Sequence, residues 1–156
     1  MSLKISGSQA LKDVLRRFPK GAKAAAAVAQ LNAAHRILPI AQERAPYEHG
    51  ALEDSAYISN PNYSNHAVTV EYGFGGAAVP YMVRQHEDLS YQHPGEHTRT
   101  DDPGRAAQGQ AKFLESAVNE NQDVIEDEYR RAIAHFARTG SMPPVREGPI
   151  TKKAPS

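Results

Sequence analysis

Between Pro80 and His97 the chain reads PYMVRQHEDLSYQHPGEH, which sets three of its seven histidines among acidic residues. His86, Glu87, His93 and His97 are all side chains that ligate divalent metals, and a metal-activated water would make a hydrolase. The spacing argues against it. A catalytic zinc site commonly pins two histidines on one helical face as H-E-x-x-H, and the position that should hold the second histidine is Ser90. His93 and His97 have the helical spacing of four, but Pro94 and Gly95 stand between them and break a helix. A loop could still hold an ion, so a metal-dependent hydrolase using His86, His93 and His97 is the rival from another class.

Other chemistries find less. Gly73 to Gly76 reads GFGG after an alternating stretch, yet no Lys-Ser or Lys-Thr pair follows as a phosphate loop requires. No G-x-S-x-G elbow occurs, and the absence of cysteine removes thiolate nucleophiles and thiolate metal sites. The carboxylates of EDEY, Glu126 to Glu128, are expected on a solvated helix face, and His35 as a hydrogen-bonded core residue. Lys12, Arg16, Arg17, Lys20 and Lys23 could meet phosphates, but no aromatics are interleaved with them. The expectation is no catalytic residue, no metal and no cofactor.

The elements that would position any site are legible in outline. A chain of 156 residues suits one domain, taken here as 1–138, with a proline-rich tail at 139–156. No apolar run reaches the length of a membrane span, and the start lacks the apolar centre of a signal peptide. A soluble protein made in the cytoplasm is expected. Ser8 to Phe18 reads as a capped helix. From Ala22 an alanine-rich segment follows, with Val28, Leu31, His35 and Leu38 as a narrow stripe, and Pro39 is expected to kink or end it. Residues 51–59 and 66–74 alternate and read as a hairpin, with Val68, Val70, Tyr72 and Phe74 facing the core. An early strand at Leu3 to Ser6 could extend the sheet. Residues 89–109 lose all periodicity and form a long loop. The run from Ala111 to Val118 could be strand or helix. Asn121 should cap a last helix whose buried face is Ile125, Tyr129, Ala132, Ile133 and Phe136. The class expected is α+β: a small antiparallel sheet packed against a long N-terminal helix and a C-terminal helix.

The charges fall in blocks although Lys plus Arg and Asp plus Glu are 18 each. Residues 1–44 carry eight basic and two acidic side chains, residues 45–129 four and fifteen, and residues 130–156 six and one. Such a basic front, acidic middle and basic end suits subunits packed head to tail.

The order of these pieces resembles a known family. AQERAPYEHGALEDSAYI carries a helix-ending Ala41, Ala45 and Pro46, a turn at Gly50, then Leu52 and Ser55 on an outgoing strand. VTVEYGFGGAAVPYMVRQHEDLSYQHP and GQAKFLESAVNENQDVIEDEYRRAI resemble the second strand with its tyrosine-bearing sequel and the closing helix. Across residues 5–137 the chain resembles the tail-completion, or neck, proteins of long-tailed bacteriophages, also described as minor capsid or head–tail connector proteins. The resemblance implies a structural virion protein, not an enzyme. It would form a ring, taken as a hexamer, that completes the tail and joins it to the DNA-filled head. Its partners would be further copies, a head-closure or connector protein, and a tail tube or tail terminator protein. The lumen could touch DNA, and no membrane is involved. The implied location is the head–tail interface of the virion, after assembly in the host cytoplasm. A tail terminator or head-closure ring protein is the nearest alternative. On this reading Tyr81, Met82, His86, Tyr91 and His93 are the candidate subunit or partner interface, and the loop and tail are arms that order on a neighbour.

Overall fold

The computed structural model describes residues 2–3, 19–46, 50–65, 67–76, 82–88 and 111–146. The helix expected at Ser8 to Phe18 and the loop 89–109 lie outside them. Helix α1 (Pro19–Arg44, 26 residues) is the axis on which the other elements pack. Alanine loses no side-chain entropy on entering a helix, so the run from Ala24 to Ala34 forms one readily. The expected narrow stripe is not what the helix presents. Ala22, Ala25 to Ala29 with Val28 among them, Ala33, Ala34, Ile37, Leu38 and Ala41 are all buried, whereas Leu31 and His35 are only half-buried. Small side chains let neighbours approach the backbone from several directions, and the alanines themselves become core.

The helix does not end at Pro39. It continues to Arg44 although the proline withholds the hydrogen bond that the His35 carbonyl would accept. Ile37, Leu38 and Ala41 bracket the proline and are fully buried, and their packing outweighs a local cost of about 3 kcal/mol. Termination comes at Ala45, whose N–H reaches back to the carbonyls of Ala41 at 2.9 Å and Gln42 at 3.2 Å before Pro46.

The first half of the expected first strand is instead a helical turn, α2 (Ala51–Asp54), entered through Gly50 at φ 75°. Ser55 Oγ donates to the Leu52 carbonyl at 2.6 Å and Gln42 donates to Glu53 at 3.0 Å, so local side-chain bonds favour the turn over the ladder. The hairpin then forms as expected but in two pieces. Strand β2 (Ala56–Ile58) pairs antiparallel with β5 (Tyr72–Phe74), and β3 (Asn62–Tyr63) pairs with β4 (Val68–Thr69). Between the pairs Ile58↔Tyr72 and Asn62↔Thr69, residues 59–61 oppose residues 70–71. The extra residue is a bulge, placed where Pro61 has no N–H to give a ladder. A short strand β1 (Ser2–Leu3) pairs with the other edge of β5, in the order β1-β5-β2.

Helices α3 (Met82–Glu87), α4 (Phe113–Glu120) and α5 (Gln122–Thr139) complete the described chain. The ambiguous run before Val118 is therefore helix. Asn121 sits at the start of α5 without capping it, because its side-chain amide donates back to Ala117 at 2.8 Å. The main core joins Ile37, Leu38, Ile58, Tyr72, Phe74, Phe113 and Leu114, with Phe74 and Phe113 edge to face at 5.1 Å. Val70, Tyr72 and Phe74 face it as expected, and Val68 is buried in a second cluster with Ala26 and Ala27. Near the start of α1, Gly21 seats the ring of Phe136 so closely that a β-carbon there would lie 2.0 Å from Phe136 Cζ.

One buried amide ties helix to hairpin across the bulge. Gln30 Nε2 donates to the Val68 carbonyl at 3.0 Å, and Gln30 Oε1 accepts the Val70 N–H at 2.7 Å. Gln30 is thus the ladder partner that the interrupted strand lacks. Replacing it as Gln30→Leu strands two buried backbone groups, at about 1–3 kcal/mol each. Urea unfolding should show a loss of about 3 kcal/mol with the Val70 amide exchanging faster in native conditions; a loss below about 1 kcal/mol would contradict the clamp.

Candidate functional site

The histidine-rich stretch turns inward at its first histidine. His86 is 1% exposed and its ring meets Phe113 edge to face at 4.9 Å. Its carbonyl accepts the Lys112 N–H at 2.7 Å, which fixes α3 against the start of α4. His86 Nδ1 lies 2.9 Å from Glu87 Oε1, and since a carboxylate only accepts, Nδ1 carries the proton. His86 Nε2 is buried and has no hydrogen-bond partner among the described residues. Among the described residues no three His, Asp or Glu side chains gather as a metal site. Of the interface candidates, His86 departs from the expected role because its ring belongs to the core of the subunit. Met82 opens α3, where Val83 is exposed, and Tyr81, Tyr91 and His93 lie outside the described residues.

Glu87 also bonds Lys112, which in turn meets Glu115 at 3.1 Å. The Lys112 ammonium, and after it His86, holds the Glu87 carboxyl below the usual range, and Glu87 raises Lys112. A depressed carboxyl stabilises the fold above its ordinary pKa, and that contribution disappears as pH falls through the lowered value. Of the basic residues Lys12, Arg16, Arg17, Lys20 and Lys23 that could meet phosphates, Lys23 donates instead to the carbonyls of Ser64 at 3.1 Å and Asn65 at 2.5 Å in the hairpin tip.

The most built cluster is one the sequence reading placed in solvent. Glu128 is 3% exposed, and its Oε1 accepts from Arg36 Nη1 at 3.1 Å and from Arg146 Nε at 3.2 Å, with Arg146 Nη2 in ion-pair range at 3.1 Å. Two cations offset the desolvation of one carboxylate, so it can be buried and charged. Beside it Asn32, also buried, donates to the Pro144 carbonyl at 3.3 Å and accepts the Arg146 N–H at 2.7 Å. The start of the tail is therefore folded back over α1 and α5. The signal for this was present: Glu128 falls between Ile125 and Ala132 on the buried stripe of α5, three and four residues from each. The arrangement holds a segment of the chain's own backbone and its arginine.

Two outcomes follow for these clusters. Removing both cations, as Arg36→Ala with Arg146→Ala, strands a buried charge and should cost about 3 kcal/mol. Glu128→Gln should cost about 1 kcal/mol, since both guanidinium groups stay partly hydrated. Urea titration giving the reverse ranking would refute this account of the cluster. For Glu87, Lys112→Ala should move the carboxyl titration midpoint upward in a carbon-detected NMR series, and an unmoved midpoint would show that the lysine does not depress it.

Comparison of the chain with protein-family models, with curated proteins and with solved structures finds no match.

Proposed function

We propose that this chain is a structural component of a bacteriophage neck, a subunit of a ring that completes the tail and joins it to the filled head. The resemblance of residues 5–137 motivates the reading, and the α+β order of long helix, hairpin and closing helix agrees with it. The observation that carries it furthest is the placement of exposed apolar side chains. Tyr63 in β3 is 56% exposed and Val83 in α3 is 55% exposed. The hairpin tip is held by Lys23 near the start of α1. Helix α3 is held by the first turn of α4, whose Ser116 and Glu120 bond Arg44 at the far end of α1. Two apolar contacts thus sit toward opposite ends of a helix about 39 Å long.

A subunit with distinct sticky ends makes heterologous contacts, which close into rings when the rotation allows. The acidic middle and basic ends add complementary charge between neighbours. The ring is hexameric on this reading, with further copies, a head-closure or connector protein and a tail tube or terminator protein as partners. Its chemistry is recognition, without catalysis.

Native mass spectrometry of the purified chain should show a closed oligomer, six copies on this account. Tyr63→Glu and Val83→Glu should each abolish it while leaving the helical circular dichroism unchanged. An oligomer that survives both substitutions would remove the proposed contacts.

A further inference from the structure

Residues 142–146 leave the end of α5 and cross α1 as an extended strap. The strap is held in the manner of one chain reading another. The Asn32 side chain pairs with the carbonyl of residue 144 and the N–H of residue 146, the two groups that a parallel neighbouring strand would take opposite Val145. That recognition reads backbone, whatever the side chains. Glu128 supplies the sequence preference by accepting the Nε–H of Arg146 and pairing with the charge of its guanidinium, and Pro143 is buried beneath.

The strap does not fill its seat. Met142 and Val145 stay 41% and 46% exposed, and a cleft of about 360 Å³ remains between Pro143–Arg146 and the His135 side of α5. Gly140 ends α5 at φ 69°, a left-handed conformation that suits glycine, and with Ser141 it forms the whole connection to the strap. Redirecting the strap needs a backbone change at these two residues and the loss of the Ser141 bonds to Thr139 and His135.

We propose that Asn32, Arg36 and Glu128 form a docking site for an extended Pro-Pro-x-Arg segment, filled here by the chain's own strap and, in the assembly, by the strap of a second copy. The naming of a second copy rests on the ring reading; the docking site does not. Contacts in the two arrangements are the same, so occupancy is decided by effective concentration, which a ring raises for every neighbour. Exchange also offers cover to Met142 and Val145.

The test uses the full chain carrying Arg146→Glu, which sets a carboxylate against Glu128 and expels its own strap. A synthetic peptide of residues 141–149 is titrated while NMR follows the Asn32 side-chain amide. Saturable shifts are expected, and the peptide with glutamate in place of arginine should bind at least tenfold more weakly. An Asn32 amide unmoved at millimolar peptide would overturn the docking site. If Arg146→Glu fails to fold, Arg146→Ala serves in the same titration. Isotope-labelled Arg146→Glu chain mixed with unlabelled wild-type chain then tests the partner. The same Asn32 shifts establish exchange, whereas peptide binding without them leaves the site but rejects the second copy.

Discussion

Everything described here depends on helix α1 being buried on several sides while made of side chains too small to keep neighbours away. Alanine packing lets the hairpin, α4 and α5 approach the helix backbone, and Gly21 against Phe136 is the closest instance. The cost is that α1's polar side chains are drawn inside. Gln30 and Asn32 are 5% and 6% exposed, and a buried amide must be matched. Gln30 is matched by the hairpin backbone and Asn32 by the strap. The polar positions of one helix therefore dictate where two distant segments lie, and the alanines between them set how close those segments come.

Glu128 extends the same logic to charge. A buried carboxylate between Arg36 and Arg146 adds little net stability over an apolar core, but it penalises every arrangement in which the strap carries no cation to it. Such a cluster specifies structure more than it stabilises it. Tyr72 shows what happens without a partner: among the described residues its buried hydroxyl has no hydrogen-bond partner. Burial pushes Tyr129 up to about 12 and Tyr72 above the ordinary phenol range. The Tyr72 ring is core material whose polar end lacks a match among the described residues.

The α+β architecture was legible in the sequence because it rests on periodicity. Alternation at Val68, Val70, Tyr72 and Phe74 and the stripe of α5 are properties of single segments. The misses are properties of pairs of segments. Pro39 is expected to kink or end α1 on local grounds, and the tertiary packing of Ile37, Leu38 and Ala41 carries the helix through it to Arg44. Glu128 reads as solvated until Arg146, eighteen residues on, is known to return to it. Ala51 to Asp54 alternates like a strand, but the bonds from Ser55 and Gln42 make it a turn. His86 looked like a ligand or a contact because its neighbours are acidic; its burial against Phe113 has no local signature.

We propose that this chain joins rather than catalyses, with recognition carried by projections at both ends of α1 and by the strap. On the neck reading, the most direct measurement is electron microscopy of the phage particles made when this gene is deleted. DNA-filled heads accumulating beside finished, unattached tails are the predicted result. Normal infectious virions would contradict it.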